Sequence, residues 1–155
     1  MNRAIDKDKD NVDPQIYNGL GCCYSELGQL QECKLNFTEA IAKNENNSEF
    51  WSNRAQAYYK SGNYDLAYAD FSIALKLDPE DTMAYYNVGM CLFETKKYKE
   101  AIDMLKMSLR REEKCFCEMR ANVYYHIGIA YCRRDKYEKA IYPLSQVIAC
   151  YIIVY

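Results

Sequence analysis

Residues 48–81 read SEFWSNRAQAYYKSGNYDLAYADFSIALKLDPED. Apolar and small residues recur three to four apart on either side of Ser61-Gly62-Asn63. That pattern predicts two short amphipathic helices joined by a tight turn. Asp78-Pro79 closes the second helix, because proline fixes φ and pushes the residue before it out of the α region. Large and small residues alternate through the stretch: Trp51, Ala55, Tyr58, Gly62, Tyr64, Ala67, Phe71 and Ala74.

The rest of the chain repeats this unit. Shifted back by one unit, Trp51, Ala55, Tyr58, Gly62, Phe71 and Ala74 fall on Tyr17, Gly21, Tyr24, Gly28, Phe37 and Ala40. Shifted forward, Trp51, Ala55, Tyr58, Tyr64, Ala67 and Phe71 fall on Tyr85, Gly89, Leu92, Tyr98, Ala101 and Leu105. A fourth copy, displaced by a short insertion, carries Tyr124, Gly128, Tyr131, Tyr137, Ala140 and Leu144. Each copy predicts a helix A, a turn and a helix B, over 14–27 and 30–43, 48–60 and 64–77, 82–94 and 98–113, and 118–133 and 137–150. Gly21, Ala55, Gly89 and Gly128 stand where helix A lets a neighbour approach closely. Cys33, Ala67, Ala101 and Ala140 do the same on helix B, while the aromatic and leucine positions fill the remaining space. No unit buries its stripe alone, so the units are expected to stack.

The frame resembles the tetratricopeptide repeat family over roughly 14–150. The motif is W-x2-L-G-x2-Y … G-x-Y … A-x3-F-x2-A … P, and 48–81 carries most of it. Departures are Arg54 in place of an aliphatic residue, Glu45 and Glu113 where Pro79 stands, and Cys33 and Ser108 in place of alanines; all read as drift. The resemblance implies an all-α, right-handed superhelical array of about four helix-turn-helix repeats (14–47, 48–81, 82–115 and 121–154) whose A helices line a concave groove. Residues 1–13 are expected to be either the remnant of a preceding repeat or a charged leader. Residues 151–155 are expected to form an apolar tail. From Ala140 to Tyr155 there is no charged residue, and Pro143 is expected to kink the last helix. The end is read as a truncation, or as a surface covered by a partner or a further helix.

Twenty lysines and arginines nearly balance 22 aspartates and glutamates, for a net charge of −2. This argues against a nucleic-acid surface, which needs a basic excess. No run of about 18 apolar residues offers a membrane span. The eight cysteines match no zinc spacing, and His126 is the single histidine. The cysteines are read as small reduced core residues, with Cys115-x-Cys117 as the one pair of interest. Neither metal nor cofactor is expected, and no nucleophile, base or phosphate loop points to an enzyme.

What the resemblance leaves is the groove. The strip facing it comprises Gln15, Asn18, Gly19, Cys22 and Ser25, then Glu49, Ser52, Asn53, Gln56, Tyr59 and Lys60. It continues as Met83, Tyr86, Asn87, Met90 and Phe93, and ends as Asn122, Tyr125, His126, Ile129 and Arg133. Asn53 and Asn87 occupy equivalent places, and an amide that both donates and accepts can pair with any peptide backbone. Met83, Tyr86, Met90 and Phe93 make a soft apolar patch suited to a partner's helix, or else pack against an adjacent repeat. The expected function is a non-enzymatic scaffold that binds an extended peptide or helix of another protein, with the apolar C-terminal end as a further protein contact, in the cytoplasm or another intracellular assembly such as a cilium. The alternatives are a chaperone adaptor for acidic C-terminal tails and the regulatory domain of a larger enzyme. In the adaptor frame the clamp positions are Asn18, Cys22, Asn53, Met83 and Asn87, without the lysines and arginine that a carboxylate needs.

Overall fold

A computed structural model describes residues 12–110 and 117–152. Among the described residues eight helices follow one another: α1 (Pro14–Glu26), α2 (Leu30–Lys43), α3 (Ser48–Lys60), α4 (Tyr64–Leu77), α5 (Thr82–Glu94), α6 (Tyr98–Arg110), α7 (Cys117–Cys132) and α8 (Tyr137–Ile152). No strand occurs among the described residues. The chain forms two compact units, one ending at Leu77 and the other beginning at Asp78. Each holds two antiparallel hairpins packed side by side.

Local chemistry sets the helix ends. Asp13, Asn47 and Asp81 each accept, through Oδ1, the N–H two residues on: Gln15 at 2.8 Å, Glu49 at 3.0 Å and Met83 at 2.8 Å. Such a cap satisfies a donor the helix itself leaves orphaned. At each A-to-B turn one residue takes a left-handed conformation: Gly28, Gly62, Lys96 and Asp135. The next N–H then bonds back to the carbonyl five residues earlier, as from Asn63 to Tyr58 at 2.9 Å and from Lys97 to Leu92 at 2.8 Å. This bond closes the helix and reverses the chain.

The small positions work as expected. A Cβ on Gly21 would lie 2.5 Å from the Phe37 ring, one on Gly89 2.8 Å from Leu105, and one on Gly128 2.6 Å from Leu144. Cys33, Ala55, Ala67, Ala101 and Ala140 are buried. Phe50, which stands outside the repeat motif, is fully buried against Ala40 and Ile41 of the preceding hairpin, with Tyr17 and Trp51 at the edge.

Three expectations need correction. Arg54 is not drift, because it makes a built ion pair with Asp70. The cysteines are not uniformly core: Cys33 and Cys91 are buried, Cys132 and Cys150 are half-buried, and Cys22 and Cys23 are exposed. The last helix continues through Pro143 to Ile152, so Tyr151 and Ile152 belong to α8 rather than to a separate tail. Helix α6 is described to Arg110, and Glu113, Cys115 and most of the insertion lie outside the described residues, as do 1–11 and 153–155.

Candidate partner-binding faces of the A helices

In the first unit the strip residues of α1 and α3 meet each other. Asn53 Nδ2 donates to Asn18 Oδ1 at 2.9 Å, and Asn18 Nδ2 donates to Glu49 Oε1 at 3.2 Å. Two turns further on, Lys60 Nζ donates to Ser25 Oγ at 3.2 Å. Asn18 is only 6 % exposed, with both ends of its amide engaged. It therefore acts as a strut between helices and offers little surface to a peptide. Ser52, Asn53 and Tyr59 are half-buried, and Gln56 is exposed. The Tyr59 ring meets Tyr64 edge to face at 5.2 Å.

In the second unit the corresponding face is aromatic. Tyr98, Phe93, His126 and Tyr125 form a row of edge-to-face contacts with ring centres 5.5, 5.3 and 5.3 Å apart. Such pairs add about 0.5–1.5 kcal/mol each beyond the area they bury. His126 Nδ1 lies 2.8 Å from the Asn122 carbonyl oxygen. A carbonyl only accepts, so Nδ1 carries the proton and Nε2 is the free face of the ring. Met83 and Tyr125 are 44 % and 47 % exposed. Met90 is only 9 % exposed and belongs to the core, whereas Tyr86, Asn87 and Phe93 are half-buried. Burial raises the Tyr86 phenol, which stays neutral. The fold thus brings Phe93, Tyr125 and His126 together and leaves Met83 exposed, while Met90 and Asn18 point into helix contacts.

Burial pushes the Cys91 thiol up to about 12 and also raises Cys22 and Cys33. A protonated thiol is neither nucleophile nor metal ligand. Among the described residues no group of three or more His, Cys, Asp or Glu side chains could hold a metal. The residues that sequence reasoning missed are Arg54 and Asp70. Their signal was present: they are spaced as Gly21 is from Phe37 and Ala55 from Phe71, the register on which each hairpin closes.

A family model described as anaphase-promoting complex, cyclosome, subunit 3 matches residues 29–108, and a tetratricopeptide repeat model matches 80–152. A serine/threonine-protein phosphatase T of Aspergillus oryzae is 37 % identical over 109 residues, which is 68 % of this chain and 21 % of that protein. The small glutamine-rich tetratricopeptide repeat-containing protein 2 of Mycosarcoma maydis is 37 % identical over 67 residues, 43 % of this chain and 19 % of that protein. The chain thus spans about a fifth of the length of these relatives. A crystal structure of MamA shares the fold, with a TM-score of 0.83 at 16 % identity over 96 % of this chain and 82 % of that one. No helix among the described residues is long and apolar enough to cross a membrane.

Proposed function

This chain belongs to the tetratricopeptide repeat family, and we propose that it is a non-enzymatic protein-interaction scaffold whose A-helix faces hold an extended peptide or helix of a partner. The observation that carries this reading is the aromatic face of the second unit, where Phe93, His126 and Tyr125 stack edge to face with Tyr125 open, and Met83 is exposed at the other end of α5. A methionine and aromatic surface adapts to apolar side chains, and His126 Nε2 adds one directional polar contact. In the first unit Ser52, Asn53, Gln56 and Tyr59 would supply the polar part of the grip. The outer face of α8, with Ile141, Ile148 and Tyr151 exposed, is a second protein contact. We place this work in the cytoplasm.

Panning a phage-displayed peptide library on the chain tests the reading. Selected peptides should lose at least tenfold in affinity on Met83→Ala with Tyr125→Ala, at unchanged Tm. Peptides indifferent to both substitutions would overturn it.

The adaptor reading has less support. Asn18 is engaged within the fold and Cys22 carries a neutral thiol, so the clamp positions hold no cation for a carboxylate. The regulatory-domain reading draws on the phosphatase relative, of which this chain matches about a fifth.

A further inference from the structure

In the first unit a single side chain fills the slot between α2, α3 and α4. The Arg54 guanidinium lies 5.0 Å from the ring centre of Trp51 and 5.8 Å from that of Tyr58. It donates to Asp70 at 2.6 and 2.9 Å and to Thr38 Oγ1 at 3.2 Å. Two repeats on, Trp51, Arg54, Tyr58 and Asp70 correspond to Tyr124, Ile127, Tyr131 and Pro143, and Thr38 corresponds to Lys106. These five counterparts all line a cavity of about 300 Å³ between α6, α7 and α8. The second unit therefore keeps the aromatic walls of the arginine slot and lacks the plug. Ile127 is too short to fill it, and Pro143 brings no counterion.

We propose that this slot docks a segment of a partner protein that carries an aromatic or large aliphatic side chain next to a carboxylate. The size argues for one side chain, since the cavity is at the lower end of the roughly 300–1,000 Å³ of ligand clefts. Tyr124, Tyr131, Ile127 and Pro143 supply an apolar bed. Charge decides the rest. A cation entering here would find no equivalent of Asp70 and would face Lys106 and Lys139 on the wall. An acid finds the opposite situation. Lys106 Nζ donates to the Tyr131 hydroxyl at 2.9 Å, and a carboxylate would offer that ammonium an opposite full charge that a hydroxyl does not carry. Tyr124, Ile127 and Tyr131 lie on the face of α7 turned away from Tyr125 and His126 at helical spacing, so this site stands or falls apart from the A-helix faces.

The test is fluorescence polarisation with the 155-residue chain and three labelled peptides: Glu-Asp-Phe-Glu-Asp, Glu-Asp-Ala-Glu-Asp and Lys-Arg-Phe-Lys-Arg. The first should bind at least tenfold more tightly than either of the others. Lys106→Glu, which changes an exposed side chain, should reduce that affinity at least tenfold at unchanged Tm. Ile127→Arg with Pro143→Asp transplants the plug of the first unit and should abolish binding. Equal binding of the three peptides, no measurable binding, or full affinity in Lys106→Glu would overturn the proposal. Should the double variant not fold, Lys106→Glu and the peptide series decide the matter alone.

Discussion

Arg54 on α3 and Asp70 on α4 form a two-bonded ion pair immediately before Ala55 and Phe71, the small and bulky residues on which their hairpin closes. The same two places hold Val88 and Met104 in the next repeat and Ile127 and Pro143 in the last. One hairpin has exchanged an apolar pair for a charged one at both ends together. The side chains are 15 % and 7 % exposed, so the charges depend on each other. Their bond also holds the guanidinium above its ordinary pKa.

Breaking that pair from one side should be costly. Asp70→Ala leaves a partly buried cation uncompensated and should destabilise by about 3 kcal/mol. Arg54→Val with Asp70→Met restores the apolar pair of the next repeat and should come within about 1 kcal/mol of the parent. Urea unfolding of the two variants checks this. Equal losses in both would mean that the pair matters only through its volume.

Gly19 and Gly21 should respond in opposite senses to alanine. A Cβ on Gly21 meets the rigid Phe37 ring, whereas one on Gly19 meets nothing within 4 Å. Gly21→Ala should cost about 1–3 kcal/mol by overpacking. Gly19→Ala should gain about 0.5–1 kcal/mol, because glycine carries an entropic penalty inside a helix. Thermal unfolding separates them.

Lys96 occupies the left-handed turn position, φ 63°, that glycine fills in the first two hairpins. A left-handed backbone costs a non-glycine residue about 1–2 kcal/mol. Lys96→Gly should therefore raise stability by about 1 kcal/mol, read as a higher urea midpoint at unchanged slope.

Cys91 supplies a pH dependence. Its folded-state pKa is raised to about 12 by burial, while a free thiol titrates near about 8.5. The sign follows from linkage. Below the free value both states are protonated and the full stability is present; above it the unfolded state ionises and stability falls as pH climbs toward the folded value. Cys91→Ala should flatten the fall in stability between pH 8 and about 10. Mass spectrometry after iodoacetamide should find Cys91 and Cys33 unmodified in the native chain and modified in urea.

The exposed apolar residues of α8 should promote self-association. Ile141→Glu with Ile148→Glu changes two side chains on its open face, and should lower the sedimentation-average mass at high protein concentration without altering Tm. An unchanged mass would remove that face from consideration as a contact.

Ser48–Asp81 and its copies carry the helix boundaries within the sequence, because those boundaries rest on local chemistry. Asp13, Asn47 and Asp81 cap helices, Gly28 and Gly62 reverse the chain, and the alternation of Gly21 with Phe37 shows which positions touch. Each of these acts within one hairpin, so spacing along the chain is enough to read it. What each strip residue faces is decided between hairpins. Asn18 and Met90 share the helical spacing of open positions, yet the neighbouring A helix covers the first and the core takes the second. The Arg54 plug and the open slot beside Ile127 likewise depend on three helices meeting. Burial is a property of packed surfaces, and only the tertiary structure brings those surfaces together.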